Sequence, residues 1–207
     1  MALGLRERKK QWTRQRIAEV AVRLFGERGF DNVPVTEVAR AADVSEATVF
    51  NYFPSKEDLV YQGMAEYENT LLEAVRDRAA GVSVLDAFRD FLLRPGGALA
   101  DDDPAAVARI ATVARIIAGS ATLQARELRM VDRQTAALAE MIGRPGDFEP
   151  WVVANALMGV QRAMKEAVHR QALAGRRGPR IAREVVAQAR VALEVLERGL
   201  AGYAATR

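Results

Sequence analysis

The sequence predicts an all-α protein of about nine helices, a small three-helix unit followed by a larger helical domain. Ala, Leu, Arg and Glu dominate the chain and strand signals are almost absent. Apolar residues recur three and four apart, the period of a helix with one buried face. Turn and capping residues break that period at intervals fitting helices of ordinary length. Half of the 207 residues are hydrophobic and 28% are charged, the balance of a folded chain rather than a disordered one. The length is ample for one or two packed domains.

The first long helix is expected to open at Trp12-Thr13, with Thr13 as its cap and Trp12 packed on Ile17 as a hydrophobic staple. Ile17, Val20, Ala21, Leu24 and Phe25 form its apolar stripe, and Gly29 ends it as a left-handed C-cap with Phe30 behind. Ahead of it lies a basic arm. Residues 1–16 carry Arg6, Arg8, Lys9, Lys10, Arg14 and Arg16 against Glu7 alone. The arm is therefore +5, and the remaining residues sum to −2 within a net charge of +3.

Residues 35–53, VTEVARAADVSEATVFNYF, organise the N-terminal unit. Val35, Val38, Ala39 and Ala42 make the stripe of one short helix. Asp43 then tolerates the left-handed backbone of a tight turn, and Ser45 caps the next helix. In that helix Val49 and Phe53 face inward, leaving Glu46, Thr48, Phe50, Asn51 and Tyr52 outside. Two short helices joined in this way form a helix-turn-helix, whose second helix lies in the DNA major groove. A basic arm ahead of it suits attraction to phosphate.

Ser55 with Asp58 is a variant capping box that starts a fourth helix. Val60, Met64, Tyr67, Leu71 and Val75 carry its period to about residue 79, which predicts one helix of ~24 residues, or ~36 Å. With no flexible linker behind the first unit, motion of one domain is expected to be felt by the other. Further helices follow over 83–93, 104–118, 120–142, 150–174 and 179–200. Asp101, Asp102 and Asp103 precede the second of these and read as the acids a helix N-terminus attracts, not as a metal site. The last two helices are apolar on more than one face. Val191 and Val195 lie off the stripe formed by Ile181, Val185, Ala189, Leu193 and Leu196, and such a surplus implies a partner subunit.

Residues 14–59, RQRIAEVAVRLFGERGFDNVPVTEVARAADVSEATVFNYFPSKEDL, resemble the DNA-binding domain of the TetR family of bacterial transcriptional regulators. The LFxxxGF element, the valine-alanine pair of the second helix, VSxxTxxxYF and SKEDL occur in the family's order and spacing. The resemblance implies that Thr36 lies near the DNA backbone and that Ser45, Glu46, Ala47, Thr48, Phe50 and Asn51 lie where bases are read. It implies phosphate contacts for Tyr52 and Lys56. Pro34 and Asp43 depart from the family's capping Thr or Ser and its turn glycine. Glu46 is acidic in a groove lined with phosphate, which costs affinity unless it accepts from a cytosine amino group.

Beyond residue 59 the resemblance is one of architecture. It implies a DNA-binding domain over 1–56, and an all-α effector-binding and dimerisation domain over 57–207 that takes a small-molecule effector. The expected partners are a palindromic DNA operator and a second copy of the chain, held through the last two helices. Tyr67, Phe88, Phe91, Arg115, Met130, Trp151, Asn155 and Met158 are candidate pocket residues for a hydrophobic ligand with one polar end. Asn155 and Arg115 are the polar members.

Other functions are disfavoured. No cysteine is present, which removes disulfides, thiolate zinc sites and cysteine nucleophiles and suits the cytoplasm. No apolar run approaches a membrane span and no signal-peptide core is visible. His169 is the single histidine, no nucleophile–base pair or Gly-rich phosphate loop accompanies it, and neither enzyme activity nor a cofactor is expected. The alternative is a helical protein-interaction module that never touches DNA.

Overall fold

A computed structural model describes residues 4–62, 64–94, 99, 102–144 and 146–199, with the side chains of residues 5 and 64–68 outside that description. Among the described residues every element is helical. The order is α1 (Leu5–Arg28), α2 (Val35–Ala41), α3 (Glu46–Tyr52), a 3-10 turn (Glu57–Leu59), α4 (Met64–Arg76), α5 (Val84–Leu92), α6 (Pro104–Ala118), α7 (Ala121–Ile142), α8 (Phe148–Leu173) and α9 (Gly178–Gly199). No single helix among them is long and apolar enough to cross a membrane.

Two elements depart from the sequence expectation. The first helix begins at Leu5, not at Thr13. Residues 5–11 are strong helix formers throughout, and that propensity outweighs the cap signal of Thr13. Thr13 Oγ1 donates to the Lys9 carbonyl at 3.0 Å, as a mid-helix threonine does, and Trp12 is exposed instead of stapling Ile17. The expected long fourth helix is broken. The Ser55–Asp58 box forms, with Ser55 N–H donating to Asp58 Oδ2 at 2.9 Å and Asp58 N–H to Ser55 Oγ at 3.4 Å. It caps only the 3-10 turn. Val60 and Tyr61 then turn inward and are buried, and the Tyr61 hydroxyl donates to the Leu123 carbonyl at 2.9 Å. α4 starts afresh at Met64.

The chain divides into two compact units, Met1–Ala65 with Thr112–Arg126, and Glu66–Ala111 with Glu127–Arg207. Leu59, Val60, Tyr61 and the segment 112–126, all beyond the expected 56/57 boundary, thus group with the helix-turn-helix. The first unit buries Ile17, Ala21, Leu24 and Phe25 of α1, Val38 and Ala39 of α2, Val49 of α3, and Phe30 and Phe53. Phe25 and Phe30 meet edge to face at 5.1 Å, made possible by Gly29 at φ 84°, whose N–H closes on the Phe25 carbonyl. A Cβ on Gly26 would lie 2.9 Å from Thr112 Cγ2, so this glycine admits the close approach of 112–126. Ser120 Oγ donates to Asp31 at 3.2 Å and Arg126 pairs with Asp58, fastening the segment further.

The second unit has two apolar clusters. One joins Leu71 and Val75 of α4, Phe88 of α5, Leu138 of α7, Leu157 and Met158 of α8 and Leu193 of α9. The other joins Val107 and Ala111 of α6 with Ala167 and Ala172 of α8 and Ile181 and Val185 of α9. α5 starts at the Ser83 cap, whose Oγ accepts from Asp86 N–H at 3.0 Å. In front of α6, Asp103 accepts from Ala105 N–H at 2.9 Å, and Asp102 pairs with Arg177. Asp101 lies outside the described residues.

Candidate nucleic-acid interface

The site is built on a helix too short to stand alone. α3 has seven residues, and an isolated helix of that length is unstable in water. Val49 and Phe53, each 1% exposed, anchor it in the core of the first unit, where α3 packs against α2. Its start is fixed by Ser45, whose Oγ accepts from Thr48 N–H at 3.1 Å and lies 2.7 Å from Thr48 Oγ1. The turn before it has Asp43 at φ 56°, the left-handed conformation expected there. Val44 N–H donates back to the Ala39 carbonyl at 3.0 Å, closing α2 against the turn.

This anchoring leaves one face of α3 uncovered. Glu46, Ala47, Phe50 and Asn51 are exposed, and Thr48 and Tyr52 are half-buried. Thr36, the second residue of α2, is exposed as well. Phe50 at 43% exposure has no core to fill, so a large apolar ring stands among polar side chains on this surface. Such a face offers hydrogen-bonding groups and one apolar contact for base edges. Ser45 is largely committed to the cap.

Lys56 is held differently from the expectation for a phosphate contact. Its Nζ donates to the Phe30 carbonyl at 2.6 Å and lies 4.3 Å and 5.6 Å from the Phe30 and Phe25 ring centroids. Burial lowers its pKa, opposed by the nearby Asp31 and Glu57 carboxylates. The ammonium therefore ties the end of α1 to the chain that leaves α3, with two N–H groups remaining for another partner. Sequence reasoning also missed Arg14, counted in the basic arm without a partner. Its guanidinium stacks 5.0 Å from the centroid of Phe53, the C-cap of α3. The spacing of Arg14 ahead of the buried Ile17 and Ala18 was the available signal.

The candidate ligand-pocket residues fall on several elements. Phe88 and Met158 are buried in the first apolar cluster with Phe91 packed against it, and Met130 is buried on α7. Trp151 and Asn155 are exposed on α8. Asn155 Nδ2 donates to the Trp151 carbonyl at 2.7 Å, so its amide finds a partner in its own helix and does not need a ligand. Arg115 is exposed, donates to Thr112 Oγ1 at 3.2 Å, and belongs to the other unit. The side chain of Tyr67 lies outside the described residues. A groove of about 670 Å³ runs between α5 and α9, lined by Arg89, Asp90, Leu93, Arg94, Arg190, Glu194 and Glu197. None of the seven candidates with described side chains lines it. His169 is half-buried on α8, its pKa lowered by burial and then by Lys165.

Residues 17–62 match the sequence profile of bacterial regulatory proteins of the tetR family. The HTH-type transcriptional regulator TcmR of Streptomyces glaucescens is 27% identical over 146 residues, 70% of this chain. The match covers 59% of TcmR, less than two thirds of its length. The transcriptional regulator MftR of Mycobacterium tuberculosis is 28% identical over 158 residues, 74% of this chain and 78% of MftR. Among solved structures, NalD, the secondary repressor of the MexAB-OprM multidrug efflux pump in Pseudomonas aeruginosa, shares the fold. The two superpose with a TM-score of 0.52 at 20% identity, over 92% of this chain and 96% of NalD.

Proposed function

Residues 17–62 make this chain a member of the TetR family of bacterial regulatory proteins, and from that premise we propose that it is a ligand-responsive, DNA-binding transcriptional regulator of the cytoplasm. It acts as a repressor, leaving a palindromic operator when a small hydrophobic effector binds. The observation that carries this reading is α3 itself, pinned by Val49 and Phe53 while Glu46, Ala47, Phe50 and Asn51 point to solvent. In this reading those four, with Ser45 and Thr48, meet base edges. Thr36, Tyr52 and the two remaining N–H groups of Lys56 meet phosphate. DNA binding belongs to 1–56, and effector binding and dimerisation to 57–207. The dimer forms through exposed faces of α8 and α9, and the effector enters the apolar interior around Phe88, Phe91 and Met158.

The test is selection from a random duplex pool, followed by titration of the enriched sequence at several salt concentrations. The expected result is a two-fold symmetric site with half-sites about one helical turn, or a little more, apart, and an affinity that falls steeply with salt. Asn51→Ala is expected to change the preferred base at one position in each half-site. Loss of affinity by the same factor on every sequence removes Asn51 from base reading. Hydrophobic acids, acyl conjugates and aromatic drugs are then screened for release of the enriched duplex. No enriched sequence and no salt dependence would overturn the reading in favour of a helical protein-interaction module.

A further inference from the structure

The first two turns of α1 bury none of their described side chains. Arg6 to Gln11 are exposed without exception, and so are Trp12, Arg14 and Gln15. A short helical segment without a buried face is marginal unless something else holds it. What holds it is the second half of α1, where Ile17, Ala21, Leu24 and Phe25 are buried beneath the helix-turn-helix.

The helical period places the cations of this arm unevenly. Arg6, Lys10 and Arg14 are four residues apart, and each step of four advances only about 40° around the axis. Continued along α1, their line runs into Ile17, Ala21 and Leu24, which are buried in the core of the first unit. The face that packs on the helix-turn-helix in the second half of α1 is thus the face that carries three cations in the first half. Arg8 lies on the far side of the helix and Lys9 on its flank. Arg6 and Lys10 have no carboxylate partner among the described residues. The innermost cation, Arg14, stacks on Phe53 at the end of α3.

We propose that Arg6, Lys10 and Arg14 form a helical cationic rail that grips the phosphate backbone beside the half-site read by α3. The inference rests on the DNA-binding reading above and deepens it. The rail starts where the candidate interface ends, its cations recur at ~6 Å intervals along ~12 Å of helix, and only a polyanion complements such a row. The phosphate backbone carries no base identity, so the rail adds affinity equally on every sequence.

The experiment compares two charge-matched double variants, Arg6→Gln/Lys10→Gln on the rail and Arg8→Gln/Lys9→Gln off it. Glutamine keeps helix propensity, and circular dichroism verifies that both variants retain the parent's helix content. Each is titrated over 50–200 mM salt against a mixed-sequence 40-bp duplex and against the selected duplex. The rail variant is expected to lose about two counterions per bound arm, so that its affinity falls ~10-fold less for each bound arm across that salt range than the parent's. The off-rail variant is expected to keep the parent's slope. Amide hydrogen exchange over residues 8–14 is expected to slow on addition of the mixed-sequence duplex in the parent and not in the rail variant. Equal slope changes in the two variants would overturn the rail in favour of diffuse charge. A loss confined to the selected duplex would overturn the backbone assignment. A parent protein that binds neither duplex overturns the rail and the DNA-binding reading together, whereas the first two outcomes leave that reading standing.

Discussion

Lys56 is the residue on which the N-terminal unit closes. Its ammonium reaches the Phe30 carbonyl at 2.6 Å and sits over two aromatic rings, joining the loop after α1 to the segment after α3. Lys56→Met keeps the aliphatic stem but leaves that carbonyl unpaired and removes both ring contacts. We expect a loss of about 1–3 kcal/mol, visible as a lower denaturation midpoint at unchanged m. An unchanged midpoint would show that the carbonyl is satisfied by water. The DNA slope separates the two roles of the residue. A lost phosphate contact lowers it by about one, and a purely structural loss leaves it unaltered. Tyr52→Phe is expected to weaken binding on all sequences alike. The residues legible from sequence were those whose role is local. Asp43 adopts φ 56° and Ser45 caps α3 because backbone conformation and an i, i+3 hydrogen bond depend on near neighbours. The contacts of Lys56 with Phe25 and Phe30 were not legible, because those partners lie some thirty residues away in the chain.

Individual helices were predictable where propensity and period agreed, and misplaced where they conflicted. The start of α1 was hidden because residues 5–11 lack an apolar stripe, although every one of them favours a helix. The break before α4 was hidden for the opposite reason, since Val60, Met64, Tyr67, Leu71 and Val75 keep helical spacing straight across it. The ligand-pocket residues were a harder case. Periodicity tells which residues share a face, but not whether that face meets core, solvent or a partner, and Asn155 and Trp151 turned out to face outward. The join between α7 and α8 offers a test at this scale. A Cβ on Gly143 would lie 1.9 Å from Pro150 Cγ and 2.6 Å from Pro150 Cβ. The proline ring is rigid and buried in the first turn of α8, so it cannot swing aside as a long side chain would. Gly143→Ala is expected to cost about 1–3 kcal/mol and to lower Tm by several degrees. A Tm equal to the parent's would mean that the loop before α8 shifts freely to admit the methyl group.

For the whole molecule, the surplus of apolar residues on the last two helices becomes specific once their inner faces are assigned. Leu193 is fully buried with Leu157 and Met158, and Leu196 packs against the same cluster, so both belong to the subunit's own core. Among the apolar side chains left outside are Val191 and Val195 on α9, 60% and 62% exposed, and Trp151 and Val152 on α8, 44% and 48% exposed. Val191 and Val195 are one helical turn apart and share a face. On α8 the exposed line Trp151, Asn155, Gly159, Arg162 recurs at steps of four, four and three. Two copies joined through these faces would cover both and supply the two recognition helices that a palindrome requires. The informative substitutions are therefore Val191→Glu and Val195→Glu together, not changes at Leu193. A charge at Leu193 would be buried without a partner and unfold the subunit, at a cost of several kcal/mol. Sedimentation is expected to give a dimer for the parent and a monomer for the double variant, with helix content retained. The parent's Tm should rise with protein concentration and the variant's should not, because only the dimer gains stability by mass action. Affinity for the palindromic duplex should fall towards that for a single half-site. A double variant that sediments as a folded dimer would move the interface away from this face of α9.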